Sequence, residues 1–149
     1  MKSRCIICDI DSTILESEFI LREIFELRLK GDDKWDYFYK NCNNDMVQEM
    51  SGIKTLLELA WVTPFWNVIL STARNEKCRE ATEEKLRRCG IPFFRLYMRK
   101  ENDYRDATEV KREHLQEIVS EFDIVAFIDD DLDNCEMAKK LGIMALRRV

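Results

Sequence analysis

Five apolar runs of strand length, separated by helical stretches rather than by hairpin turns, constrain this chain more than any other feature. They fall at 4–8, 66–71, 93–98, 124–128 and 143–146. The runs are dense in isoleucine, valine and leucine, which suits strands covered on both faces, as in a parallel sheet. Helical patterns occupy 16–30, 45–59, 76–89, 107–119 and 132–141, and a short amphipathic segment opens at 35–39. Gly31 is expected to stop the first helix and Gly142 the last. Asn75 is placed to cap the helix after the second strand, with Gly90 closing it and Pro92 just beyond. This alternation predicts an α/β fold: a Rossmann-like three-layer domain spanning 1–149, with a mostly parallel five-stranded sheet and right-handed crossovers.

In an open parallel sheet the ligand crevice lies beyond the carboxyl ends of the strands. The first strand ends in Asp9-Ile10-Asp11-Ser12-Thr13, the second in Ser71-Thr72-Ala73-Arg74, the third in Arg99-Lys100 and the fourth in Asp129-Asp130-Asp131. Asp9 and Asp11 are two residues apart, so in extended chain both side chains lean to one side. Carboxylates that close repel unless a cation, a proton or donors compensate. Converging aspartates make a hard oxygen site of the kind Mg²⁺ prefers, and a hydroxyl, lysine and arginines around it suit an anionic group. Lys111 lies near the start of the helix before the fourth strand. Taken singly, Thr72 reads equally as a turn hydroxyl, Lys111 as a solvated helix residue and 129–131 as a plain turn; taken together and in order, they read as one site.

Composition narrows the class. A 149-residue chain that is 46% hydrophobic and 36% charged is an ordinary globular protein. No apolar stretch reaches membrane-spanning length, and Met1-Lys2-Ser3-Arg4 enters the first strand directly, so a cytoplasmic location is expected. The formal charge of −5 argues against a general nucleic-acid binder, yet its distribution is uneven. Residues 9–60 and 113–149 sum to −6 and −5, while 74–112 sum to +4, as a cation site beside an anion site would require. Cys5 and Cys8 form a C-x-x-C, but an i, i+3 pair in a strand points to opposite faces, and no second pair stands at zinc spacing. All six cysteines are therefore expected as reduced, mostly buried thiols, and His114 as a helix-surface residue.

The ordered set resembles the haloacid dehalogenase (HAD) superfamily. Asp9-Ile10-Asp11-Ser12-Thr13 matches the D-x-D-x-T first motif, Thr72 the second-motif hydroxyl (with Ser71 as its competitor), Lys111 the third-motif lysine and Asp129-Asp130 the acidic fourth motif. The resemblance implies that Asp9 is a nucleophile, Asp11 a general acid–base, and Thr72 and Lys111 the phosphoryl ligands. It further implies Mg²⁺ held by Asp9, Asp130 and the main-chain carbonyl of Asp11, with Asp129 behind them in support. Asn134 stands where many members carry a further acid. Asp at the second motif position implies phosphatase rather than dehalogenase chemistry.

Substrate choice in that superfamily often resides in a cap. Roughly fifty residues separate Thr13 from the second strand, much of them needed to cover the sheet, which implies a minimal cap or none. The stretch 99–106, followed by Glu109-Val110-Lys111, is similar to the 3′-phosphatase domain of phage polynucleotide kinase, as are Arg74 and Ile128-Asp129-Asp130. Arg74, Arg99, Arg105 and Thr13 are accordingly candidates for substrate contacts, although Ala107 stands where that domain carries an aspartate. No P-loop occurs in this sequence, so no kinase half is expected to accompany it. Trp35, Tyr37, Phe38 and Tyr39 are candidates for base stacking or for core. The implied substrate is a polynucleotide 3′-phosphate end or a nucleotide, with no membrane and no obligate protein partner. A small-metabolite phosphatase is the alternative. A non-catalytic receiver-like module is disfavoured, because receivers place the lysine after the acidic pair.

Overall fold

Alternation along the first strand sorts its side chains into two cores. In the computed structural model, which describes residues 1–149, β1 (Arg4–Cys8) sends Ile6 and Cys8 to one face and Cys5 and Ile7 to the other. It is flanked by β2 (Trp66–Asn75) and β4 (Asp123–Asp129), and β3 (Arg95–Arg99) and β5 (Ala145–Arg147) form the edges, in the order β3-β2-β1-β4-β5. Every pairing is parallel. The expected C-x-x-C geometry holds, since Cys5 and Cys8 lie in opposite cores.

The first core collects α1 (Glu18–Glu26), α2 (Gly31–Asn41), α3 (Ser51–Val62) and α4 (Arg79–Arg88), which follows a 3₁₀ turn at Glu76–Cys78. Ile20, Ile24, Phe38, Leu57, Ala60 and Leu86 pack there with Val68 and Leu70. The segment between β1 and β2 is thus built into the core rather than raised as a cap. The second core lies under α5 (Ala107–Glu121) and α6 (Leu132–Lys140), where Leu115, Ile118, Met137 and Ala138 meet Ile69 and Phe127. No helix is long and apolar enough to cross a membrane.

Element boundaries move where tertiary bonds intervene. The first helix ends at Glu26, not at Gly31: Arg28 takes φ +55°, and the N–H groups of Arg28 and Leu29 bond back to Phe25 and Ile24, a Schellman ending without glycine. Gly31 instead opens α2. Gly90, at φ +69°, closes α4 in the manner expected, and the Asn75 side chain accepts from the Lys77 N–H. The third helix starts at Ser51 rather than 45, because 48–50 are drawn out against the loop after β1. Glu16 N–H bonds to Gln48 O, and Met50 N–H to Ile14 O.

β2 runs four residues past its expected end. Across a bulge, Ser71 pairs with Tyr97 but Asn75 with Arg99, so Thr72, Ala73 and Arg74 stand opposite Met98 alone and β2 carries two extra residues. The strand order reverses direction between β1 and β4, which places a ligand crevice at the carboxyl ends of those two strands.

Candidate active site

Register brings the strand ends level: Cys8, the last residue of β1, pairs with Leu70 on one side and Ile128 on the other. Asp9, Ser71-Thr72 and Asp129-Asp130 therefore emerge together. After Asp9 the chain turns back on itself. Ser12 adopts φ +60°, its N–H bonds to Leu15 O, and the N–H groups of Ile14 and Leu15 bond to Ile10 O. A non-glycine residue in the left-handed region carries a local cost. Buried Ile10, Ile14 and Leu15 anchor the turn. It returns the Thr13 hydroxyl to Asp9 Oδ2 at 3.0 Å and to Asp130 Oδ1 at 3.2 Å.

Lys111 reaches from the second turn of α5 to bridge two buried carboxylates, with Nζ 2.7 Å from Asp9 Oδ1 and 2.7 Å from Asp129 Oδ2. Burial works against its ammonium, but Asp9 and Asp129 outweigh it and raise the lysine pKa. Asp129 is saturated: Oδ1 accepts from the Asp131 N–H and from Asn134 Nδ2, and Oδ2 from Lys111 and Asn134 Nδ2. Thr108 donates to Asn134 Oδ1 at 2.8 Å, which turns the amide nitrogen toward Asp129. Asn134 thus fixes the Asp129 carboxylate.

One ammonium cannot balance three carboxylates. Burial pushes the Asp9 carboxyl well above the ordinary carboxylate range; Lys111 opposes the shift and Asp129 adds to it. Burial, then Asp129, raises Asp130 as well. Carboxylate oxygens of Asp9, Asp129 and Asp130 lie within 4.8 Å of one another. Four aspartates stand here against Lys111 and Arg74, an excess that a divalent cation would cancel. The donor set fits Mg²⁺, and because Asp129 has its acceptor positions filled, Asp9 and Asp130 are the carboxylates left to bind it.

Arg74 does not reach outward as a substrate contact, contrary to expectation. It is 2% exposed, and all five of its N–H groups are used within the protein. Nε and Nη2 grip Asp11 Oδ2 and Oδ1 at 2.8 and 2.7 Å; Nη1 donates to Asn43 Oδ1 and Thr82 Oγ1, and Nη2 also to Cys42 O. Ser17 Oγ adds a bond to Asp11 Oδ1 at 3.2 Å. Thr72 is buried beside this group, its hydroxyl accepting from the Arg74 N–H at 3.1 Å.

Arg99 donates to Ala73 O, Asp103 O and Arg105 O, fastening the 100–106 loop to the second motif. Arg105 pairs with Asp103 at 2.6 Å and with Glu113, away from the acid cluster. His114 departs from its expected surface position. It is buried, Nε2–H donates to Met98 O at 3.2 Å, and Nδ1 accepts from Ser71 Oγ at 2.8 Å. A carbonyl can only accept, so this neutral tautomer satisfies both partners. Ser71 is committed there, whereas the Thr72 hydroxyl accepts from the Arg74 N–H. The aromatics of 35–39 also serve the fold: Phe38 is in the core, Trp35 stacks on Tyr39, Tyr37 donates to Glu23, and the Tyr39 hydroxyl accepts from the Asn75 N–H. Ser17, Asn43, Thr82 and Thr108 carried no sequence signal, being single polar residues without a motif.

The sequence profile of the polynucleotide kinase PNKP phosphatase domain matches residues 3–147. No curated protein matches the chain. Among solved structures, a chain of the Pnkp1/Rnl/Hen1 RNA repair complex superposes with a TM-score of 0.80 at 23% identity, covering 99% of this chain and 42% of that one. A second Pnkp1/Rnl/Hen1 structure gives 0.77 at 24%, covering 99% and 46%, so this chain spans less than half the length of either relative. The class C acid phosphatase of Bacillus anthracis gives 0.69 at 22%, covering 89% and 53%. The structural likenesses carry the fold, and the profile match across nearly the whole sequence carries the family. The chain belongs to the PNKP phosphatase-domain family, within the HAD-type phosphatases that hydrolyse phosphoric monoesters.

Proposed function

We propose that this chain is a Mg²⁺-dependent phosphatase that works through an aspartyl-phosphate on Asp9 and acts on polynucleotide 3′-phosphate ends or nucleotides. The observation that carries this reading is the pairing of the two first-motif acids with different cations: Asp9 with Lys111, and Asp11 with Arg74. A carboxylate oxygen of Asp9 attacks phosphorus as the bond to the leaving oxygen breaks, and that oxygen takes the proton from Asp11. Asp11, now a carboxylate, removes a proton from water as the water attacks the aspartyl-phosphate, releasing inorganic phosphate and Asp9. The Arg74 fork fixes the plane of the Asp11 carboxyl group. Lys111 and Thr72 hold phosphoryl oxygens, and Thr13 orients Asp9. Arg99 keeps Nη2 without a protein acceptor and remains a candidate phosphate contact; Arg105 shapes its loop. Asp9, Asp130 and the Asp11 carbonyl would hold Mg²⁺, whose chemistry is to neutralise charge between Asp9 and the phosphate.

The test is phosphate release, with and without Mg²⁺, from 3′-phosphorylated DNA and RNA oligonucleotides, a 5′-phosphorylated oligonucleotide, mononucleotides and phosphoserine. The Pnkp1 relative sits in an RNA repair complex, hence the RNA arm. Mg²⁺-dependent release from 3′ ends that vanishes in Asp9→Asn is expected. Release confined to phosphoserine would replace the substrate class with a small metabolite.

A further inference from the structure

The last strand delivers two arginines to the same end of the sheet as the acid cluster. β5 pairs with β4 so that Arg147 lies opposite Asp129, and the Arg148 N–H donates to Asp129 O at 2.9 Å. Arg147 Nε donates to the Asp130 carbonyl at 3.1 Å, and Arg148 Nη1 to the Ser12 carbonyl at 3.3 Å. Each guanidinium is thereby tethered to the backbone of one of the two loops that supply the site's carboxylates.

The two differ in what else they touch. Arg148 faces Glu16 at 4.0 Å and Glu18 at 3.8 Å. Arg147 is exposed, has no ion-pair partner, and its Nη groups have no protein acceptor. Its single anchor holds the planar fork at the rim beside Asp130 while four N–H donors stay open. Of the other arginines around the site, Arg74 is spent on five acceptors and Arg105 on two carboxylates, while Arg99 is tied to three carbonyls through Nε and Nη1 and keeps only Nη2 open. On a chain of net charge −5, a polyanionic substrate needs such a local cation to approach the acid cluster.

We propose that Arg147 is a second anion subsite: it takes a phosphodiester of the substrate adjoining the phosphate being hydrolysed, and so selects nucleic-acid ends over lone phosphomonoesters. This rests on the polynucleotide reading above and names a residue that enforces it. A guanidinium–phosphate fork is a charge-assisted bond pair, stronger than neutral hydrogen bonds and lost with the charge.

The experiment is steady-state kinetics of the wild type, Arg147→Gln and Arg147→Lys on three substrates. These are a nucleoside 3′-monophosphate, a 3′-phosphorylated dinucleotide, and the same dinucleotide with an uncharged methylphosphonate linkage. The wild type is expected to prefer the charged dinucleotide, and Arg147→Gln to cut that preference about tenfold, mainly through KM. Arg147→Lys should restore part of it. The methylphosphonate should behave toward the wild type as the charged dinucleotide does toward Arg147→Gln. The dependence of log KM on log salt for the charged dinucleotide should become shallower by about 0.7 in Arg147→Gln. Equal losses on mononucleotide and dinucleotide, or an unchanged preference, would make Arg147 a backbone tether only and overturn the inference. If the wild type releases phosphate from other monoesters but from neither nucleotide, the polynucleotide reading itself has failed, and the subsite with it.

Discussion

Lys111→Met removes the one cation between two buried carboxylates while keeping a side chain of similar reach. Nζ is 2.7 Å from an oxygen of each partner, and the three side chains are no more than 6% exposed. Breaking a buried ion pair from one side costs about 3–5 kcal/mol, because the other charge is left uncompensated. Proton uptake limits the loss. A carboxyl with an unfolded pKa near 3.9 is neutralised at pH 7.5 for about 5 kcal/mol, and at pH 5.5 for about 2 kcal/mol. Burial already pushes Asp9 above the ordinary range, so Asp9 is the group that takes the proton. In that case the folded state binds more protons than the unfolded chain, and stability rises as pH falls toward the unfolded pKa. Urea unfolding should therefore show the variant about 3–5 kcal/mol less stable than wild type at pH 7.5 and about 2 kcal/mol less stable at pH 5.5. A loss below about 1 kcal/mol, or one equal at both pH values, would refute the claim that Lys111 balances these carboxylates.

Arg74→Lys keeps the charge but loses the fork on Asp11, and should lower kcat about 100-fold with little change in KM; a change in KM alone would count against a role in aiming Asp11. His114, held down to about 4 by burial, is neutral in the fold but titrates near 6.5 when unfolded. Its contribution is intact above pH 6.5 and is lost as pH falls toward 4, by up to about 3 kcal/mol, so unfolding profiles of wild type and His114→Gln should converge over that window; parallel profiles would exclude it. Mg²⁺ at 100 times its Kd should add about 2.7 kcal/mol, or roughly 5–11 °C in Tm, and Asp130→Asn should abolish most of that shift in thermal melts. An equal shift in Asp130→Asn would place the cation elsewhere.

The acids were legible in sequence because each ends a strand, and in a parallel sheet strand ends share one edge. Asp9, Thr72 and Asp129 needed only the register of Cys8 with Leu70 and Ile128 to meet. Arg74 and His114 were misplaced for the opposite reason: their partners come from segments with no motif. Arg74 draws on Asp11, Cys42, Asn43 and Thr82, and His114 on Ser71 and Met98. A long-range acceptor turns a polar residue from a surface group into a core group without any local trace in composition. The late start of α3 has the same origin. Pairing of 48–50 with the loop after β1 outweighs the helical periodicity of 45–50, and that extended path leads from the Cys42-Asn43 segment that meets Arg74.

On the proposed mechanism, the wiring of the two first-motif acids lets residues so close in sequence take different parts. Asp9 is 4% exposed and shares one lysine with a second carboxylate, so it lacks compensating charge and is matched to binding a cation and an electrophile. Asp11 has 23% of its side chain open to solvent and a guanidinium of its own. That open edge can meet a leaving group or water while the fork holds the carboxyl plane. Divergent surroundings of this kind separate acid–base and nucleophilic roles between neighbouring carboxylates. Here the separation follows from the chain reversal at Ser12, which turns Thr13 toward Asp9, and from the β2 bulge, which holds Arg74 against Asp11.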